Sequence, residues 1–197
     1  DTSKPRGLPQ QAPLKPEFQK LYEASLADQA AGGQGNHTAY KCLAWGMPAM
    51  MNGYGTGIEF VVLPETTYMM VDDGNDSVRR IFTDGRKHHA GPVTYQGDSV
   101  GRWEGDTLVV DTVGIKTNRP YAMQDLFGTP YTDKLHIVER YTLRDYDDVK
   151  DAIERNRREN WMFAGDVWAR YRGKHMQVEV TVEDEGVLTS PYTGTLT

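Results

Sequence analysis

From residue 58 onward, apolar and polar side chains alternate in short runs separated by turn residues, the period-two pattern of half-buried β-strands. The runs are Ile58 to Leu63, Thr67 to Val71, Val78 to Thr83, Ser99 to Glu104, Thr107 to Val113, Leu135 to Leu143, Met176 to Asp184 and a last one near Thr193. Between them stand Asp73-Gly74-Asn75, Asp84-Gly85 and Glu104-Gly105-Asp106, residues that accept the backbone angles of tight turns. About eight sequential strands of this kind predict a mostly β fold, an antiparallel, lipocalin-like barrel that removes sheet edges and can enclose one small ligand. A two-sheet β-sandwich is the alternative.

Two stretches follow the helical period instead. Phe18, Leu21, Tyr22 and Ser25 recur behind Pro16, predicting an N-terminal helix that ends before Gly32-Gly33. Residues 147–160, rich in charges of both signs, predict one inserted and largely solvated helix, with Asp147 as N-cap and Val149, Ala152 and Ile153 facing the body. The stretch Cys42 to Met51 is apolar but broken by Gly46 and Pro48, which predicts a buried, irregular lead-in to the first strand. Residues 1–15, with Pro5, Pro9 and Pro13 among polar side chains, predict an extended arm, leaving 16–197 as a single β domain.

Charge narrows the function classes. Lys and Arg total 22 against 28 Asp and Glu, a net charge of −6, so the long-range field repels polyanions and nucleic acid is not an expected partner. Gly, Pro or a charge interrupts every apolar stretch well short of the roughly 18–20 residues a membrane-spanning helix needs. The lone cysteine, Cys42, rules out an intrachain disulfide and a multi-cysteine metal site. The Pro/Lys/Gln-rich opening after Asp1 fits an exported chain whose targeting segment has been removed, hence a periplasmic or secreted location.

Strand periodicity then locates candidate chemistry. In the run 135–143, Leu135, Ile137, Glu139, Tyr141 and Leu143 share one face, and His136, Val138, Arg140 and Thr142 share the other. Whichever side is buried carries a titratable group with it. A carboxylate such as Glu139 in an apolar cavity suits a general acid or base. One of the adjacent arginines, Arg79 or Arg80, should likewise face inward, to pair with Glu139 or to hold a substrate anion. Asp111 and Asp184 read as strand-end carboxylates. His88 and His89 follow a turn and can shuttle protons, with His136 as a further candidate. Trp103, Tyr141, Trp45 and Met50 are the candidates for contact with an apolar substrate. No metal and no cofactor are expected, because H-x-H, HExxH, Cys/His and dinucleotide spacings are all missing and adjacent histidines on a strand point oppositely.

The run Ser77 to His88 containing Asp84-Gly85-Arg86-Lys87-His88, the run Ser99-Val100-Gly101-Arg102-Trp103-Glu104-Gly105-Asp106-Thr107-Leu108-Val109-Val110-Asp111-Thr112, and Leu135 to Tyr141 together resemble a family of secreted bacterial proteins of uncharacterised function. The resemblance covers most of the chain and implies export and a bacterial source; it carries over no substrate and no catalytic residue. Asp98 departs from the pattern, standing where relatives carry histidine. The residues themselves lead to the expectation of a cofactor-independent acid/base enzyme, of lyase, isomerase or hydratase type, acting on a small apolar or aromatic molecule in a barrel pocket. The alternatives are a non-catalytic hydrophobic-ligand-binding protein and an extracellular assembly subunit, forming a homo-oligomer through the Pro-rich arm and the exposed helix.

Overall fold

The computed structural model describes residues 12–36, 44–52, 57–71, 77–117, 123–125, 127–158 and 170–197. His37, Cys42 and the aromatic stretch Trp161 to Trp168 lie outside the described residues. Eight strands form one curled sheet, a half-barrel in which neighbours in sequence are neighbours in space. They are β1 (Ile58–Val62), β2 (Thr66–Val71), β3 (Ser77–Phe82), β4 (Asp98–Glu104), β5 (Thr107–Val113), β6 (His136–Arg144), β7 (His175–Glu183) and β8 (Tyr192–Leu196). Helix α1 (Pro16–Ala30) precedes the sheet and α2 (Tyr146–Arg158) is inserted between β6 and β7. The fold is therefore mostly β and barrel-like, as the alternation predicts.

One pairing departs from the antiparallel pattern. Strands β3 and β4 run parallel through Ile81–Ser99 and Phe82–Val100. A parallel pair requires the chain to travel back along the sheet before re-entering it, and residues 83–97 supply that return. By contrast β4 and β5 form a tight hairpin through Gly105, whose φ of 61° is costly for residues with a Cβ. Helix α2 begins at Tyr146, so Asp147 sits in its first turn, where it favours the positive end of the helix dipole, rather than capping it.

Burial follows the strand alternation. On the concave face lie Met69, Arg79, Ile81, Ser99, Leu108, Val110, Thr112, Ile137, Glu139, Tyr141, Val178 and Val180, all buried. Trp45, Met47, Ala49, Met50 and Met51 pack over them from the segment ahead of β1, and Phe60 meets Tyr141 edge-on with ring centroids 5.2 Å apart. Flexible thioethers suit this irregular lid on a curved sheet. The convex face carries the polar alternates, including Asp98, Asp111, His136, Arg140 and Glu183.

Candidate active site

The sheet sorts the predicted residues into two groups on opposite faces. On the concave face, β3 brings Arg79 and β6 brings Glu139 into a buried ion pair with neither side chain exposed. Arg79 Nη1 donates to Glu139 Oε1 at 2.9 Å and Nη2 to Oε2 at 2.5 Å. Its Nε donates to Ser99 Oγ at 3.0 Å, Nη2 also to Thr112 Oγ1 at 2.6 Å, and Nη1 faces Met69 Sδ at 4.0 Å. These contacts occupy all five N–H donors of a guanidinium, leaving none for a substrate. Glu139 accepts a further hydrogen bond from the Tyr141 hydroxyl at 2.6 Å. Burial works against the Arg79 charge, and the Glu139 carboxylate with its hydrogen bonds overcomes it, raising the guanidinium pKa above its ordinary value. Burial, and then the Glu139 charge, push the Tyr141 hydroxyl well above the usual phenol range. Trp45 and Met50, proposed for ligand contact, are packed in the same sealed core.

On the convex face a second group forms a chain of alternating imidazoles and carboxylates. His88, in the return segment after β3, directs Nδ1 to Asp98 Oδ2 and Nε2 to Asp111 Oδ1, both at 3.0 Å. His136 at the start of β6 directs Nε2 to the same Asp111 oxygen at 3.0 Å and Nδ1 to Glu183 Oε2 at 3.1 Å. Asp98 also accepts the His89 backbone N–H at 3.1 Å, which fixes the carboxylate from a second direction. The His88, Asp111 and His136 side chains are 28%, 33% and 32% exposed, so solvent and small solutes reach them. Along the same face Val100, Asp111 and Val138 stand in register, and Phe82 is in register with Val100, giving the carboxylate a partly apolar surround. Arg86 lies 3.9 Å from the Phe82 ring centroid while its guanidinium is paired with Asp84.

The remaining predicted residues fall elsewhere. Arg80 points to the convex face over the Tyr68 and Phe82 rings. The His89 side chain is 73% exposed and 3.9 Å from Asp98. Trp103, at the hairpin end of β4, is 49% exposed and belongs to neither group. Asp184 is a buried strand-end carboxylate, accepting the Thr132 backbone N–H and hydroxyl at 2.6 Å each and the Gly186 N–H at 2.9 Å. A surface hollow of about 530 Å³ between Asp145, Tyr146, Asp147 and Arg172 to Lys174 contains none of the predicted residues. Sequence reading missed Asp98 and Glu183 as partners of the histidines, although both share the convex alternation with Asp111 and His136. No family model, curated protein or solved structure matches the chain.

Proposed function

We propose that the protein is an acid/base enzyme acting on a small molecule at the convex face of the sheet, with Asp111, His88 and His136 as its proton-transfer groups. The observation that carries this reading is the convergence of both Nε2 atoms on Asp111 Oδ1 at 3.0 Å in a solvent-reachable position. An imidazole whose second nitrogen is held by a carboxylate has a fixed ring orientation, which is what a proton-transfer group needs. Two such imidazoles on one carboxylate can take a proton from one atom of a substrate and return one to another, as lyase, isomerase and hydratase reactions require. The half-buried Phe82, Val100 and Val138 favour a substrate with an apolar or aromatic portion. Arg79 and Glu139 hold the sheet's curvature beneath the site and take no part in proton transfer.

The test is mass-spectrometric analysis of the protein incubated with a mixed set of apolar and aromatic metabolites. Asp111→Asn is expected to lower turnover of the transformed compound by about 10²–10⁴-fold while leaving the circular-dichroism spectrum unchanged. Turnover that survives in Asp111→Asn removes this face from the mechanism. Compounds retained without change by the parent protein support the second reading, a ligand carrier.

A further inference from the structure

The fold treats the arginines of its strands unequally. Arg79 is paired with Glu139, Arg102 and Arg140 with Glu104, and Arg144 with Asp148. Among the described residues, Arg80 is the strand arginine whose charge meets no carboxylate. Asp98, which the parallel register of β3 and β4 sets beside it, is turned to the His88 ring and the His89 backbone N–H. The Arg80 guanidinium lies instead 5.5 Å from the Tyr68 ring centroid and 5.8 Å from that of Phe82, an exposed cation held against two half-buried rings. Contact with aromatic rings positions a guanidinium without consuming its N–H donors, which lie in its own plane. Arg86 approaches the same Phe82 ring to 3.9 Å, so the two guanidiniums share one ring and stand no more than about 10 Å apart. Arg86 spends Nε and Nη2 on Asp84 and keeps Nη1 uncommitted among the described residues.

From this we infer that Arg80, supported by Arg86 Nη1, is an anion-binding subsite of the convex-face centre, and that the molecule it holds is a small carboxylic acid with an aromatic or apolar body. A planar guanidinium fork meets the two oxygens of a carboxylate with two parallel N–H donors, which a lysine cannot do. Phe82, Val100 and Asp111 stand in register across β3, β4 and β5. Two interstrand steps therefore place Asp111 about 10 Å from Phe82 across the sheet. An apolar strip runs from the arginines to the proton-transfer groups. A ligand with its carboxylate on Arg80 and its body over Phe82 and Val100 presents its far end to Asp111, His88 and His136. Net charge of −6, and the carboxylates Asp98, Asp111 and Glu183 on this face, repel an anion that approaches the other way round. The arginines thus decide which end of an elongated acid reaches the histidines, and the reacting atom is one remote from the acid group. Of the two adjacent arginines on β3, the inward one holds Glu139 and the outward one holds the ligand.

The subsite rests on the reading of this face as the functional one, and its binding is measured apart from turnover. The full chain is titrated by calorimetry with 3-phenylpropanoate and with the uncharged 3-phenylpropanamide, at low salt. The acid is expected to bind about 10-fold tighter than the amide. Arg80→Gln should remove that preference, weakening the acid about 10-fold and leaving the amide within about twofold. Arg80→Lys, which keeps the charge and loses the fork, should restore part of it. Phe82→Ala should weaken both compounds, and Arg144→Gln, far along β6, neither. Equal affinity for acid and amide, an Arg80→Gln chain that binds the acid within about twofold of the parent, or no saturable binding of the acid up to about 10 mM overturns the subsite. Arg80-dependent binding of the acid without turnover of any compound keeps the subsite and removes the enzyme reading. Turnover that needs Asp111 but is unchanged in Arg80→Gln removes the subsite alone.

Discussion

At the scale of single residues, Arg79 and Glu139 are a fully buried ion pair whose separate halves the core cannot tolerate. Removing one partner leaves an uncompensated charge in a low-dielectric interior, so Glu139→Gln should cost about 3–5 kcal/mol in urea unfolding. Replacing the set together, as Arg79→Met, Glu139→Leu and Tyr141→Phe, should recover most of that loss, because Ser99 and Thr112 still have each other at 3.0 Å. A Glu139→Gln protein within about 0.5 kcal/mol of the parent would show the pair is not structural. Asp125 makes a different kind of prediction. Its enclosure drives the carboxyl pKa up, only partly offset by hydrogen bonds from Thr129, Phe127 and Gly128. The folded chain therefore holds the proton to higher pH than the unfolded chain, and the stability this contributes is lost as pH rises through the folded value. Asp125→Asn should thus gain most over the parent near neutrality, the gain shrinking as pH falls through the carboxylate range in parallel unfolding curves. That a titratable group of the 135–143 run and one of Arg79 or Arg80 would be inward was legible in the alternation; that these are Glu139 and Arg79 was not. Nor was the chemistry they do, because only the structure shows all five Arg79 donors, and both Glu139 oxygens, engaged with each other and their neighbours.

At the scale of elements, strand positions were legible to within a residue or two because each run is short and alternating and most are closed by a turn containing glycine, aspartate or, after β1, Pro64. The parallel β3–β4 contact was not, since residues 83–97 carry no helical or strand signal to show how the chain returns. That contact depends on Gly101. A Cβ there would meet Ile81 Cγ2 at 2.7 Å, Thr83 Cγ2 at 3.2 Å and Leu108 Cδ1 at 3.5 Å. Ile81 is wholly buried and cannot retreat into solvent. Gly101→Val should therefore cost about 1–3 kcal/mol by overpacking, and Gly101→Ala less. Faster amide exchange should concentrate at Ile81, Ser99 and Val100; an even loss of protection over all eight strands would mean the parallel seam is not the weak point. The same return segment delivers His88 to the convex face, so a loosened seam should also impair the site while leaving β6 and β7 protected.

For the whole molecule, the open question is what holds the first helix and the last strands to one body when the sheet pairs only neighbours in sequence. Residues 12–15 supply the connection. Lys15 N–H bonds to the Val187 carbonyl and Thr189 N–H to the Pro13 carbonyl, each at 2.8 Å, with the Thr189 hydroxyl adding a bond to Pro13 at 3.0 Å. Leu14 and Leu188 form a β-bridge, and Ala12 is buried in the core that the sheet shares with Leu188. The end of the predicted arm is thus stitched to the β7–β8 connection, although nothing in its proline-rich composition distinguishes a docked segment from a loose one. A chain beginning at Pro16 loses these bonds and exposes part of the Val187–Leu188 surface, which should lower stability by about 2–4 kcal/mol. Amide exchange should rise first at Val187 and Thr189, ahead of β4 to β6. Sedimentation of the same variant separates two roles for the segment. An unchanged oligomeric state with lower stability makes it an internal strap, whereas loss of an oligomer with stability intact makes it the connector between copies that an assembly subunit needs.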